Sequence, residues 1–242
     1  MENQNPDYTY HNVIQIEDAD QSRKFIANVF MWMFVALGIS SASAYIFATP
    51  QFFSLLVDQS THQLSGLFYV IMFAPLAFVL IMNFGMNRIS YGVLAVLYVV
   101  YAAVTGVSLS VILLAYTASS VIGVFLTSSA VFGIMAIAGY TTKTDLTKFG
   151  SLMMMGLIGV VIASVINIFL RSDSLGYLIS YIGVAVFVGL TAYDVQKLKN
   201  IGAGLQYGEA SAKKMALMGG LTLYLDFINL FLFLLRIFGR RR

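Results

Sequence analysis

The chain contains no cysteine and few charged residues, and each scarcity excludes a class of protein or site. Without cysteine there is no disulfide framework, no thiol nucleophile and no thiolate metal site. Only 10% of the 242 residues are charged and 59% are hydrophobic, whereas soluble domains carry about 25% charged residues. We therefore expect an integral membrane protein whose length suits one helical bundle without a second domain.

Long apolar runs dominate what is present, and seven of them reach the roughly 20 residues that a helix needs to cross a bilayer. The runs cover residues 25–48, 65–86, 90–115, 119–140, 149–170, 175–196 and 215–236. They are continuous rather than alternating, which argues against a transmembrane β-barrel. We therefore predict an all-α membrane protein: a polar N-terminal tail at 1–24, then a seven-transmembrane-helix bundle at 25–242.

Basic residues are distributed unevenly between the connections, which orients the bundle. With the N-terminus inside, the inner segments hold Arg23, Lys24, Arg88, Lys143, Lys148, Lys197, Lys199, Lys213 and Lys214. The outer loops then hold only Arg171, so the positive-inside rule places the tail in the cytosol. The C-terminal segment does not follow the positive-inside rule, since it holds Arg236, Arg240, Arg241 and Arg242. They lie outside if all seven runs cross and inside if one run is re-entrant, and charge leaves both alternatives open.

Two acidic residues, Asp194 and Asp226, fall within apolar runs. A carboxylate at the bilayer centre costs about 2.5–3.5 kcal/mol on insertion scales, so such a residue indicates a functional site by default. Asp226 shares one helical stripe with Thr222 and Asn229, which should face the bundle interior. The alternative is that a protonated Asp226 only holds neighbouring helices together by hydrogen bonds.

Spacing alone does not bring the two acids together. Asp194 lies three residues before Lys197, so a local ion pair at a helix end is an alternative for it. Asp226 lies 12 residues beyond Lys214, or about 18 Å at helical rise. The carboxyl groups meet only if the last helix begins well inside the cytosol, or if the Lys197 end is drawn into the bundle. A pair that meets would titrate as a unit and present oxygen ligands that suit Ca²⁺.

Four segments have a distinctive sequence. The main ones are "GLTAYDVQKLK" at 189–199 and "LYLDFINLFLFLLRIFG" at 223–239, supported by "KTDLTKFG" at 143–150 and "INIF" at 166–169. With these segments the chain resembles the Bax inhibitor-1 family of membrane proteins (transmembrane Bax inhibitor motif). The resemblance implies a seven-helix bundle in which the last helix is central.

The resemblance also implies roles for particular residues. Asp194 and Asp226 would form a hydrogen-bonded dyad, to which a pH-sensitive calcium leak is attributed in similar bacterial proteins. They would be pH sensor, ion path and metal ligands, with Thr222 and Asn229 as a supporting polar stripe. Arg88, which the sequence alone marks only as a topology charge, would latch onto Asp194.

We therefore predict a pH-sensitive calcium (cation) leak channel in the lipid bilayer of the bacterial cytoplasmic membrane. Calcium ions would be the transported species, with no tightly bound cofactor and no nucleic-acid partner. The alternative is a non-enzymatic regulator of a membrane protease, or of a stress or cell-death response, acting through protein contacts of the tail. We do not expect an enzyme: the chain lacks the Gly-x-Gly-Asp and Pro-Ala-Leu motifs of intramembrane aspartyl proteases.

Overall fold

The structure is a computed structural model that describes the backbone of residues 7–56, 65–205 and 210–241, with side chains from residue 20 onward. The described chain forms eight helices and no strand. They are α1 Asp7–Phe47, α2 Pro50–Leu56, α3 Gly66–Gly85, α4 Tyr91–Ala115, α5 Ala118–Thr141, α6 Thr147–Leu170, α7 Asp173–Ala203 and α8 Ala210–Phe238. All except α2 contain a segment long and apolar enough to cross a membrane, which confirms the seven-helix prediction.

Helix α8 lies at the centre of the bundle, as the family resemblance implies. It packs against α1, α4, α5 and α7. Just over half of the membrane-spanning window is buried in both α7 and α8 (56%), against 6% in α3 and α6. Helix α3 packs mainly on α4, and α6 packs mainly on α7. The two peripheral helices therefore present most of their surface to lipid, while α7 and α8 form the interior.

Close approaches of the backbones hold the central helices together. A Cβ atom at Gly139 of α5 would overlap the carbonyl oxygen of Ala192 in α7. In the same way, a Cβ atom at Gly106 of α4 would overlap the carbonyl oxygen of Ser40 in α1. Small residues allow the two backbones to come this close. Such packing stabilises the bundle because lipid supplies no hydrophobic force between helices.

The C-terminal tail packs on the connection between α4 and α5. The Thr117 N–H donates to the Arg240 carbonyl oxygen at 3.0 Å, and the Arg240 N–H donates to Ser120 Oγ at 3.0 Å. Tyr116 and Arg241 form an isolated antiparallel bridge. The tail therefore lies at the opposite end of the bundle from the lysine-bearing connections.

Candidate functional site

The carboxyl groups of Asp194 and Asp226 meet in the interior of the bundle. Their side chains are within hydrogen-bonding contact of each other, and both are buried, with exposed fractions of 8% and 5%. Oδ2 of Asp226 is fully buried, and within the described part of the chain no donor reaches it. Two ionised carboxylates have no hydrogen between them, so this contact requires a proton.

The lengths of the two helices explain how the acids meet. Helix α7 runs to Ala203, nine residues past Asp194, so Asp194 is interior to the helix and not at its end. Helix α8 begins at Ala210, 16 residues before Asp226, or about 24 Å of helix. The structure thus fits the second alternative that the sequence left open, since the Lys197 end of α7 is part of the bundle, and α8 begins before the predicted run.

The dyad lines a cavity of about 620 Å³ between α6, α7 and α8. The stripe predicted on α8 faces this cavity, since Thr222, Asp226 and Asn229 all line it. Thr222 Oγ1 donates to the Met218 carbonyl oxygen at 3.2 Å, and Asn229 Nδ2 donates to that of Leu225 at 2.8 Å. Because these donors are used within α8, the oxygen atoms of both side chains are what a cation in the cavity would meet.

A second cavity of about 280 Å³ continues from the dyad toward the lysine-bearing end. It shares Asp194, Lys197 and Thr222 with the first cavity and extends to Asn83 and Met86 at the end of α3. The two cavities thus meet beside Asp194 and extend from it in different directions, while Asp226 lines only the larger one. No group of three or more His, Cys, Asp or Glu side chains is present among the described residues, so the polar path offers few ligands to any metal.

Lys197 is the cation beside the dyad in this structure. Its side chain lines both cavities, exerts an electrostatic effect on Asp194, and lies with Nζ 5.8 Å from the centre of the Tyr193 ring. It does not form the ion pair that the sequence offered as an alternative: the described residues hold one pair within 4 Å, between Lys24 and Asp20. Lys197 therefore places a positive charge where the two cavities join.

Arg88 lies apart from the dyad. Its side chain is exposed, and its backbone N–H donates to the Gly85 carbonyl oxygen at 2.8 Å. In the same connection, Lys214 Nζ donates to the Met86 carbonyl oxygen at 3.2 Å. An ion pair between Arg88 and Asp194 is not formed in this arrangement, so the latch stays a prediction about another conformation.

The sequence did not reveal two polar contacts that fix α7 and α8. The Gln196 side chain donates to the Thr144 carbonyl oxygen and accepts from the Leu146 N–H, both at 2.8 Å, which ties α7 to the α5–α6 connection. On the other face of α8, the Tyr224 hydroxyl lies 2.7 Å from Ser40 Oγ of α1. Neither contact could be predicted from residue spacing, because each joins residues at least 50 positions apart in the chain.

Comparison with known proteins identifies the family of the chain. The family model described as "Inhibitor of apoptosis-promoting Bax1" matches residues 22–242. Inner membrane protein YbhL of Escherichia coli strain K12 is 44% identical over 219 residues, which cover 90% of this chain and 92% of that protein. An uncharacterized protein of Borreliella burgdorferi is 41% identical over 90% of this chain and 93% of its own. With a family match over nearly the whole chain and these relatives, the chain belongs to the Bax inhibitor-1 family.

Proposed function

We propose that this protein is a pH-sensitive calcium (cation) leak channel gated by Asp194 and Asp226. The observation that carries the proposal is the contact between two buried carboxyl groups that both line one cavity, with Asp194 also lining a second. Intramembrane acids that face a cavity mark ion and proton pathways. Carboxylate, hydroxyl and amide oxygens are also the ligands that Ca²⁺ prefers.

The proton shared by the dyad would act as the gate. While it is present, the two carboxyl groups hold α7 and α8 together through a hydrogen bond. When it leaves, two like charges face each other in a low-dielectric site, and the pair separates or binds a cation. Protonation thus selects between two arrangements of α7 and α8, and the pH of the solution sets their populations.

We infer the same cellular setting that the sequence predicted. The K12 relative is called an inner membrane protein, which supports placement in a bacterial cytoplasmic membrane. The lysine-rich connections lie at one end of the bundle, and the positive-inside rule assigns that end, and the N-terminus with it, to the cytosol.

Calcium entry into liposomes that contain the purified protein tests the channel. We expect entry to exceed that of protein-free liposomes and to depend on pH. In the double variant Asp194→Asn/Asp226→Asn it should fall to the protein-free rate, because no carboxylate remains in the path. The matched control is Asp145→Asn, an exposed acid in the α5–α6 connection. Wild-type calcium entry in a folded double variant would contradict the proposal.

The regulatory alternative makes a different prediction in the same assay. It assigns the function to protein contacts of the N-terminal tail, whose backbone continues α1 back to Asp7. Deletion of residues 1–20 leaves both cavities and the dyad intact. A leak channel should therefore retain its calcium flux after this deletion, whereas a regulator of a membrane protease should lose its partner.

Lys197 should restrain the flux, since its charge lies at the junction of the cavities. We expect Lys197→Met to raise calcium entry at neutral pH several-fold, because the variant removes a positive charge that repels the ion and attracts Asp194. Lys143→Met is the matched control, since Lys143 is exposed in the α5–α6 connection. Equal flux in Lys197→Met and the wild type would show that Lys197 lies outside the ion path.

A further inference from the structure

Two arginines of the C-terminal segment, Arg236 and Arg241, line a cavity far from the dyad. This cavity of about 380 Å³ lies between the ends of α4 and α8 and the tail. Its lining residues are Tyr116, Arg236 and Arg241 on the polar side and Ile112, Leu232 and Leu235 on the apolar side. Since α4 ends at Ala115 and α8 at Phe238, the cavity lies where spanning helices reach the headgroup region.

The guanidinium groups at this cavity are held in place. Gly176 of α7 leaves room for Arg236, because a Cβ atom there would overlap the guanidinium. Arg241 lies with its guanidinium carbon 6.0 Å from the centre of the Tyr116 ring. Across the described chain, no carboxylate lies within 4 Å of Arg236, Arg240 or Arg241. The site therefore presents two guanidinium groups without a direct ion pair, although Asp173 at the start of α7 acts electrostatically on Arg241 from a longer distance.

An apolar groove continues from this cavity into the depth of the bilayer. It has a volume of about 320 Å³ and is lined by α1, α4, α5 and α8, and Ile112 lines both the groove and the arginine cavity. Residues at its mouth face away from the bundle: Tyr45, Ile122 and Leu126 are 81%, 61% and 63% exposed. Because these residues lie in membrane-spanning helices, the mouth opens to lipid acyl chains and not to water.

We propose that the cavity and groove together bind one anionic phospholipid, from the leaflet at the C-terminal end of the bundle. The phosphate would lie between Arg236 and Arg241, and an acyl chain would pass Ile112 into the groove. Guanidinium groups pair with phosphate oxygens through parallel hydrogen bonds, and uncompensated basic residues at a membrane surface attract anionic lipids. The proposal is independent of the calcium leak, since no residue of the site touches the dyad cavities.

Thermal unfolding of the full-length protein in an uncharged detergent tests the site. Dioleoylphosphatidylglycerol, dioleoylphosphatidylcholine and inorganic phosphate are titrated separately. We expect phosphatidylglycerol to raise the melting temperature at concentrations where the other two have little effect. In Arg236→Gln/Arg241→Gln, its half-saturating concentration should rise about tenfold or more, given about 1 kcal/mol for each basic residue.

Two further variants separate the parts of the site. Lys143→Gln/Lys148→Gln removes the same charge at the other end of the bundle and should respond to phosphatidylglycerol like the wild type. Ser41→Trp places a large side chain in the groove, which Ser41 lines, and should weaken the lipid response although both arginines remain.

Three results would overturn the proposal. The first is an equal response of the wild type to phosphatidylglycerol and phosphatidylcholine, and the second is an unchanged response in the arginine variant. The third is equal stabilisation by inorganic phosphate, which would make this a site for a free anion. If the arginine variant does not fold, two measurements still test the proposal. They are the wild-type response to phosphatidylglycerol against phosphatidylcholine, and the phosphatidylglycerol response of Ser41→Trp.

Discussion

Replacing either dyad residue alone by asparagine should abolish the pH dependence of calcium flux. The contact between Asp194 and Asp226 requires a proton, because two ionised carboxylates are both acceptors and have no hydrogen to share. In Asp226→Asn or Asp194→Asn the amide NH₂ supplies that hydrogen, so the contact forms at every pH. Flux in the wild type should change by up to about tenfold per pH unit when one proton controls the gate. The single variants should give a flat profile.

Liposome flux measured over the mildly acidic to neutral range checks this prediction. Asp226→Glu should keep a pH dependence, because it retains the titrating group. Asp145→Asn is the control for loss of an acid: hydrogen bonds from Thr147 lower the pKa of Asp145, so that exposed carboxyl group stays ionised throughout the range. A wild-type pH profile in both single variants would refute the shared-proton gate.

Substituting alanine for Gly139 should destabilise the bundle by about 1–3 kcal/mol, as overpacking of a filled interior does. The added methyl group would overlap the Ala192 carbonyl oxygen. A backbone oxygen cannot rotate away like a flexible side chain, so α5 and α7 must separate. Because Ala192 lies two residues before Asp194, the displacement also reaches the dyad. Thermal unfolding in detergent measures the loss, and calcium flux measures the effect on the site.

Gly133→Ala is the matched control on the same helix. No atom lies within 4 Å of a Cβ atom built at Gly133, so its methyl group enters open space. The control should therefore keep the melting temperature of the wild type or exceed it, because alanine is the better helix former. Equal losses in both variants would mean that the contact between α5 and Ala192 contributes no specific stability.

The helices were predicted closely because lipid imposes a simple rule on sequence. Helix α6 spans Thr147–Leu170, where the sequence predicted 149–170, and α4 spans Tyr91–Ala115, where it predicted 90–115. A spanning segment must be apolar over its whole length and must satisfy its backbone internally, so hydropathy marks both ends. Helix α2, Pro50–Leu56, was not predicted, since its seven residues are too few to span a membrane and carry no such signal.

Hydropathy gave no information about how far helices continue into water. It ended the run that contains Asp194 at residue 196, whereas α7 continues to Ala203. The added residues are helical, but two lysines and an asparagine among them end the apolar run. For that reason, the spacing from Lys214 to Asp226 did not show that the two acids would meet. The extension of α7 makes Asp194 an interior residue of a long helix, and the start of α8 at Ala210 does the same for Asp226.

By itself, the sequence determined the membrane class, the seven spans and the two intramembrane acids, because each follows from the free energy of placing a residue in lipid. Only the tertiary structure decided that the two carboxyl groups touch, that Lys197 and not Arg88 lies beside them, and that the arginine-rich tail lies opposite the lysine-rich connections. All three features depend on which helix faces contact each other. Lipid does not distinguish one apolar face from another. The contacting faces are therefore determined by close packing at positions such as Gly139 and by hydrogen bonds between residues distant in the chain.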